Sequence, residues 1–337
     1  MITISRHAAI AMLAVILCAP VSGAVIPEIR VFGSADEIVT EYQKTGYWGA
    51  VEQGAAMEVP PYLTVLASET WDKSAASLPV EVKKELFYRS LLPLILYSNE
   101  SILEDRARLQ KSAGILEGPE REWVAGLAAS YGLLEEGEAL PQGDALAALI
   151  AELMMRVDVV PPSLALGQAA YESGYGTSRF AREGNALFGQ WTYGGKGMQP
   201  REKRARKGDY GVAAYDWPLE SVRAYMRNLN SHRAYQGLRD KRAAARSRGR
   251  APTGDELADT LTSYSERGAE YVKTLKGIMS TNELVVADNA TLQDAPAILI
   301  IDVPGEEEAT KVKAEIARLR ETGELGRVLA DMGVDFD

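Results

Sequence analysis

Apolar residues recur at spacings of three and four along much of the chain, which is the pattern of amphipathic helices. Over residues 80–112 this pattern predicts one long helix, which Pro93 is expected to kink or divide. Shorter helices are predicted over 120–131, 143–157, 163–172, 218–229 and 253–281. The hydrophobic pattern therefore indicates a mainly α protein.

Two parts of the chain interrupt the helical pattern. Residues 174–211 hold too many glycines for a long helix. Within the basic segment 198–215, the turn signal of Gly208 and Asp209 before a short apolar run predicts a β-hairpin beside a groove. Residues 25–75 mix glycine, proline and aromatic residues, and we expect helix and loop there.

The C-terminal segment has a composition of its own. Residues 281–337 carry 13 acidic and 5 basic side chains, which account for most of the chain's net charge of −10. A strand is predicted over 297–303 and a helix over 309–321. We expect a small acidic C-terminal appendage, whose function the sequence does not reveal.

The N-terminus resembles a cleaved export signal. A short basic start precedes an apolar run of about 14 residues, and the small residues after it end at Ala24, where we expect cleavage. Such a run is too short to span a bilayer, which takes about 20 residues. Leu17 before Cys18 argues against a lipid anchor. The mature protein is therefore expected to be exported, to a periplasm or the cell envelope.

The scarcity of reactive side chains excludes several enzyme classes. Among 337 residues there are 1 Cys and 2 His, so disulfide scaffolds, zinc hydrolases and Cys-dependent hydrolases lack their essential residues. The glycine loops that bind nucleotide phosphates are also missing from the sequence. We expect no metal and no cofactor. An enzyme of this composition has to rely on carboxyl groups, tyrosines and the backbone.

Positive charge is concentrated in one part of an acidic chain. Residues 196–250 carry 15 basic and 5 acidic side chains. One interpretation is a solvated helical face followed by an arginine-rich loop over 239–250. The other is a patch for a polyanion, and an exported protein meets acidic cell-wall polymers first. Nucleic-acid binding is not expected, because no recognised binding module accompanies the charge.

The most informative stretch surrounds Glu172. A helix with an apolar face ends there, just before Gly174 permits the left-handed turn that terminates it. Partial burial by Tyr171, Tyr175 and Phe188 would raise the pKa of the carboxyl group and keep it protonated near neutral pH, as a general acid requires. On spacing alone, an exposed glutamate at a helix end is the alternative.

This stretch resembles the glucosaminidase domain of glycoside hydrolase family 73, in particular its Bax-like branch, through the run AAYESGYGTSRFA (169–181) and its continuation NALFGQW (185–191). Weaker similarity extends the resemblance to about residues 80–285. The resemblance implies a lysozyme-like, mainly helical α+β domain with a small β-lobe. It also implies cleavage of peptidoglycan between N-acetylglucosamine and N-acetylmuramic acid.

The resemblance implies roles for individual residues as well. Glu172 matches the family's general acid, and Tyr264 matches a tyrosine across the cleft whose hydroxyl positions water or the N-acetyl group of the sugar. The residues expected to bind the saccharide are Tyr175, Asn185, Phe188, Gly189, Gln190 and Trp191. For Phe188, Trp191 and Tyr264, plain core packing is the alternative.

The sequence leaves the second catalytic group open. Glycosidases usually employ two carboxyl groups, and the acidic residues available on the predicted hairpin are Glu202 and Asp209. Glu202, between Arg201 and Lys203, is equally well explained as a surface residue in a salt bridge. Substrate assistance by the 2-acetamido group, steered by Tyr264, needs no second carboxyl group.

We therefore predict a peptidoglycan hydrolase, an endo-β-N-acetylglucosaminidase that acts by general acid catalysis. The expected organisation is a signal peptide (1–24), an N-terminal helical region (25–140), the glucosaminidase domain (141–285) and the acidic tail (286–337). The alternatives are a lytic transglycosylase on the same fold and a cell-wall binding protein without turnover. Peptidoglycan glycan strands are the expected partner in each case. An amidase is disfavoured by the missing metal ligands.

Overall fold

The computed structural model describes residues 26–49, 57–66, 71, 78–112, 116–193, 197–199 and 210–331. Its α-helices are α1 (Ala35–Lys44), α2 (Val80–Ser112), α3 (Gly118–Ser130), α4 (Gly143–Arg156), α5 (Pro162–Ser173), α6 (Arg179–Gly184), α7 (Pro218–Ser231), α8 (Gln236–Ser247), α9 (Gly254–Ala258), α10 (Ala269–Thr281), α11 (Glu306–Thr322) and α12 (Leu325–Asp331). The strands are β1 (Glu28–Phe32), β2 (Glu58–Val59), β3 (Tyr62–Leu66), β4 (Trp191–Tyr193), β5 (Tyr210–Val212), β6 (Thr291–Leu292) and β7 (Ile298–Asp302). Turns of 3-10 helix lie at Arg233–Tyr235, Leu261–Ser263 and Leu284–Asn289.

Among the described residues, no helix combines the length and apolar character needed to cross a bilayer. The predicted signal peptide lies outside the described residues.

Helix α5 forms the centre of the helical core. Its residues from Pro162 to Ala170 are all buried, and α2, α9 and α10 pack around it. Small and apolar side chains on every side of a helix are typical of such burial. The close approach of α10 depends on Gly167, because a Cβ atom there would lie 2.7 Å from Cγ of Met279. The sequence of α5 thus fixes the helix that carries Glu172.

The long helix predicted over 80–112 is confirmed as α2, and Pro93 does not divide it. Helix α2 packs against α5 and α7. Its buried Asn99 fastens the chain just before α5, because Nδ2 donates to the carbonyl of Val160 at 2.8 Å and Oδ1 accepts from the amide of Val160 at 3.1 Å. Helix α2 therefore fixes the start of α5 as well as one of its sides.

A three-stranded parallel sheet joins the two ends of the described chain. The strand order is β1-β7-β3, so Ile300 of β7 pairs with Arg30 on one side and Thr64 on the other. The expectation of helix and loop over 25–75 is wrong where β1, β2 and β3 form, because short strands among glycines and prolines leave little periodic signal. The strand and helix predicted in the C-terminal segment are confirmed as β7 and α11.

The remaining helices follow the pattern with one exception. Those predicted over 120–131, 143–157, 163–172 and 218–229 are confirmed as α3, α4, α5 and α7. The single helix predicted over 253–281 is wrong, because α9, a 3-10 turn and α10 share that segment. Gly268, whose φ of +54° is left-handed, explains why α10 begins only at Ala269.

The β-lobe is small and lies beside the helical core. Strands β4 and β5 pair antiparallel with Trp191 opposite Val212. Strand β4 lies before the segment 198–215 in which the hairpin was predicted, and the predicted turn at Gly208 and Asp209 lies outside the described residues. Met198 adds a further antiparallel bridge to Val212. Together with the helical core, this lobe gives the mainly α, lysozyme-like α+β fold that the resemblance implied.

The arginine-rich segment expected as a loop over 239–250 is helix α8 up to Ser247. Arg239 and Arg242 of this helix are fully buried. Arg242 reaches the buried carboxylate of Asp158, with Nε and Oδ2 3.6 Å apart. Arginines at spacings of three and four occupy one helical face, which here points inward. Part of the local positive charge is therefore internal and does not belong to a surface patch.

Candidate active site

Glu172 lies in the last turn of α5, where the buried core reaches the surface. Gly174 terminates the helix in the left-handed conformation, with φ 57° and ψ 48°. The half-buried carboxyl group of Glu172 faces Gly189, where an added Cβ atom would lie 3.6 Å from Oε2. The side chain therefore projects from a rigid helix toward the loop that leads into β4.

The surroundings of Glu172 favour its protonated form. Burial raises the pKa of its carboxyl group to about 7, and a hydrogen bond from the Tyr271 hydroxyl opposes part of the shift. Within the described ranges, no charged side chain is among the causes of this shift. Near neutral pH such a group can hold a proton and then release it, which is the property that a general acid needs.

Tyr264, the tyrosine predicted across the cleft, lies beside this carboxyl group in an aromatic cluster. Its ring stacks on Tyr271, with centroids 5.6 Å apart and planes inclined by 9°. Its hydroxyl donates a hydrogen bond to the carbonyl of Phe188 at 3.1 Å. Burial raises the pKa of both tyrosines well above the usual value, so both hydroxyls stay protonated at physiological pH. The structure thus brings Glu172 and Tyr264 into one site.

Two residues to which the sequence analysis assigned no role complete the surroundings of Glu172. Tyr271 comes from α10 and faces the carboxyl group. Gln168 is one helical turn before Glu172, is fully buried and contacts the Tyr271 hydroxyl. A buried amide at this spacing within an apolar helix is a signal that could have identified Gln168. Tyr271 has no local signal, because it is 103 residues from Gln168.

Two predicted groove residues, Asn185 and Gln190, use their side-chain amides within the protein. Asn185 ends α6 and donates to the carbonyls of Tyr215 and Asp216 at 3.1 and 3.0 Å. Gln190 donates to the carbonyl of Ala224 at 3.0 Å and accepts from the Tyr215 hydroxyl at 2.7 Å. These hydrogen bonds tie the loop before β4 to the chain after β5, so they set the shape of this side of the site.

The aromatic residues of this loop and strand divide into buried and exposed ones. Phe188 is 2% exposed and stacks on Tyr225, with centroids 3.9 Å apart, so core packing describes its ring. Trp191 and Tyr193 are 46% and 67% exposed. They share one face of β4, because residues two apart on a strand point the same way. Trp191 also stacks on Tyr210 at 4.6 Å. This face offers flat apolar surface and begins two residues after Gly189, which faces Glu172. Tyr193 was not predicted from the sequence.

Tyr175 follows the end of α5 in a strained backbone conformation. Its φ of 58° is left-handed, which is uncommon for a residue with a side chain. Its ring packs edge-on against Phe87 and Tyr88 of α2, each at 5.8 Å, and its carbonyl accepts from the indole of Trp71 at 3.0 Å. These contacts hold the strained turn next to Glu172, and such strain is often found at functional sites.

These features define the class of protein. Among the described residues, a lysozyme-like domain presents at this site one carboxyl group of raised pKa beside tyrosine side chains, together with a small β-lobe that has exposed aromatic rings. A carboxyl group in such surroundings suits the acid of a glycosidase site. The two candidates for a second carboxyl group, Glu202 and Asp209, lie outside the described residues, so their roles stay predictions.

Comparison with known proteins assigns the chain to a family. The glucosaminidase family, described as mannosyl-glycoprotein endo-beta-N-acetylglucosaminidase, matches residues 147–284. Protein bax of Escherichia coli (strain K12) is 31% identical over 209 residues, which cover 61% of this chain and 72% of that protein. No solved structure matches the chain significantly. The chain belongs to the glucosaminidase family, glycoside hydrolase family 73, and to its Bax-like branch.

Proposed function

We propose that this protein is an exported peptidoglycan hydrolase that cleaves the glycan strand as an endo-β-N-acetylglucosaminidase, with Glu172 as its general acid. The observation that carries the proposal is the half-buried carboxyl group of Glu172, whose pKa burial raises to about 7. Family membership supports a glycosidase that acts on peptidoglycan. The export signal expected over residues 1–24 supports a site of action in the cell envelope.

In this mechanism the glycan strand lies between the end of α5 and the β-lobe, where Trp191 and Tyr193 offer exposed rings for sugar faces. Glu172 donates its proton to the glycosidic oxygen while the bond from that oxygen to the anomeric carbon breaks. The carboxylate that remains accepts a hydrogen bond from the Tyr271 hydroxyl. Water adds to the anomeric carbon and passes one proton to a carboxylate of the site, which leaves a reducing N-acetylglucosamine end.

The group that supports the anomeric carbon can come from the protein or from the substrate. A carboxyl group of the predicted hairpin, Glu202 or Asp209, is one route, and the 2-acetamido group of the sugar is the other. Tyr264 suits either route. Its proton is used on the carbonyl of Phe188, so its oxygen is left as an acceptor for the attacking water or for the N–H of the acetamido group.

The test is mass spectrometry of the products released from purified peptidoglycan by the wild-type protein and by Glu172→Gln. We expect fragments with reducing N-acetylglucosamine ends from the wild type and a loss of about 10²- to 10⁴-fold in the variant. Glu183→Gln is the control, because Glu183 is ion-paired with Arg179 on the surface of α6. Fragments with anhydro-muramic ends would establish a lytic transglycosylase instead. Binding to sacculi without release of fragments would establish a binding protein.

A further inference from the structure

Gln168 is a fully buried amide inside an apolar helix, and both ends of that amide have a partner. The hydroxyl of Tyr225 donates to Oε1 of Gln168 at 2.7 Å. Nε2 of Gln168 donates to the hydroxyl oxygen of Tyr271 at 2.8 Å. Burying an amide is costly unless its hydrogen bonds are made. A helix that packs mainly through small and apolar residues therefore carries a buried amide whose two ends are both hydrogen-bonded.

The two hydrogen bonds have a direction. A tyrosine hydroxyl has one proton, and Tyr225 uses that proton on Gln168. The oxygen of Tyr271 receives a hydrogen bond from Gln168, so the proton of Tyr271 is left for another acceptor. The acceptor that Tyr271 faces is the carboxyl group of Glu172. The donors in this series of hydrogen bonds, from Tyr225 through Gln168 to Tyr271, thus point toward Glu172.

We infer that Gln168 is a positioning residue of the site, because its hydrogen bond to Tyr271 keeps the Tyr271 hydroxyl turned as a donor toward Glu172. The inference rests on the proposed function, in which Glu172 transfers its proton to the leaving oxygen. The carboxylate that remains is only an acceptor and stays in desolvated surroundings, so a donor beside it stabilises the product of that step. Gln168 acts through Tyr271 alone.

Gln168→Met keeps the length of the side chain and removes both hydrogen bonds. The Tyr271 hydroxyl is then free to turn its proton away, and the ionised form of Glu172 loses stabilisation. We expect the pKa of Glu172 to rise further, so the alkaline limb of the pH profile of kcat/KM moves to higher pH. The value of kcat/KM at its optimum is expected to fall by about 10- to 100-fold, as for loss of a hydrogen bond to a charged group.

The matched control is Asn99→Leu. Asn99 is also a buried amide with two hydrogen bonds, but both reach the backbone of Val160. Its loss should lower the thermal midpoint without moving the pH profile. The direct readout is infrared difference spectroscopy of the Glu172 carboxyl band, which Glu172→Gln identifies. This titration needs no turnover, and circular dichroism shows whether each variant is folded.

An upward shift of the Glu172 titration in Gln168→Met, with none in Asn99→Leu, supports the positioning role. If that shift occurs while the wild type releases nothing from peptidoglycan, the positioning role stands and the proposed function fails. An unchanged titration in folded Gln168→Met overturns the positioning role, as does a loss of kcat/KM that is equal at every pH.

Tyr225→Phe is the second variant, for use if Gln168→Met does not fold. It removes the donor to Oε1 of Gln168, so the amide is free to rotate and to present Oε1 to Tyr271. A smaller upward shift of the Glu172 titration is expected. An unchanged titration in this variant overturns the positioning role.

Discussion

Glu172 and Gly189 face each other so closely that a Cβ atom on residue 189 would lie 3.6 Å from Oε2 of the glutamate. Gly189 also has a φ of +60°, which side-chain-bearing residues rarely adopt. Gly189→Ala should therefore have two effects. We expect a loss of about 1–2 kcal/mol in the free energy of unfolding from the left-handed backbone. We also expect a lower kcat, because a methyl group would take up space beside Oε2, where the proposed mechanism brings the leaving oxygen to Glu172.

Gly132→Ala separates these two effects. Gly132 has a φ of +68°, and a Cβ atom there would meet nothing within 4 Å. The two variants should lose similar amounts of stability in urea unfolding, whereas only Gly189→Ala should lose release of reducing ends. Equal activity of the two variants at a temperature where both are folded would show that the space beside Glu172 is not needed.

The pH dependence of activity should follow the protonated form of Glu172. Burial raises the pKa of this group to about 7, and a general acid works only while it holds its proton. We expect kcat/KM to fall about tenfold per pH unit above that value. Release of reducing ends measured from pH 5 to pH 9 provides the check. Activity that rises through this range would assign Glu172 the role of a base.

Much of the helical part of the fold could be predicted from the sequence, because α2 to α5 and α7 each keep a helical period of apolar residues. Strands β1 and β3 and their pairing with β7 could not, since that pairing joins the two ends of the described chain and nothing local indicates it. Helix α8 was missed because Arg239 and Arg242 suggest a solvated loop, whereas the fold buries both.

The candidate site divides in a similar way. The candidate acid and the loop that faces it could be predicted as neighbours, because Glu172 and Gly189 both belong to one short glycine-rich motif. Their partners could not be derived from spacing. Tyr271 reaches Glu172 only through the packing of α10 on α5, and that packing depends on Gly167 against Met279. Contacts of this kind are set by tertiary structure, which a periodic pattern does not encode.

The buried Asp158 should be one of the most stabilising carboxylates of the fold. It lies among Arg242, Arg246 and Arg106. Burial raises its pKa, but the hydrogen bond from Arg246 and the charges of all three arginines outweigh burial and hold the pKa below its usual value. Asp158→Asn leaves the fully buried guanidinium of Arg242 without its carboxylate. We expect a loss of about 3–5 kcal/mol in the free energy of unfolding.

Urea unfolding of Asp158→Asn and of Glu256→Gln tests this expectation. Glu256 forms a two-hydrogen-bond pair with Arg250 on the surface, so water and salt screen that pair. The loss in Glu256→Gln should be far smaller than in Asp158→Asn, and added salt should diminish it further. Comparable losses of stability in the two variants would mean that burial of the internal arginines does not require the carboxylate of Asp158.

Asp302 should make the protein less stable as the pH rises through the neutral range. It ends β7, the middle strand of the three-stranded sheet, and it is fully buried. Among the described residues, neither of its carboxylate oxygens has a hydrogen-bond partner. Burial, with a smaller contribution from the charge of Glu37, raises its pKa from 3.8 to about 7. The folded state therefore binds a proton that the unfolded chain releases near pH 4.

The direction in which stability changes with pH follows from this proton. Between pH 4 and pH 7 the folded state holds more protons than the unfolded state, so stability falls as the pH rises, and the full loss is reached above pH 7. The side chain in Asp302→Asn stays neutral throughout, so we expect the free energy of unfolding of this variant to equal that of the wild type near pH 4. At pH 8 the free energy of unfolding of the variant should exceed that of the wild type by about 2–4 kcal/mol. Urea unfolding at both pH values measures the difference, with Asp294→Asn in the exposed loop before β7 as the control. A difference between Asp302→Asn and wild type that is the same at pH 4 and pH 8 would show that Asp302 does not titrate in the sheet.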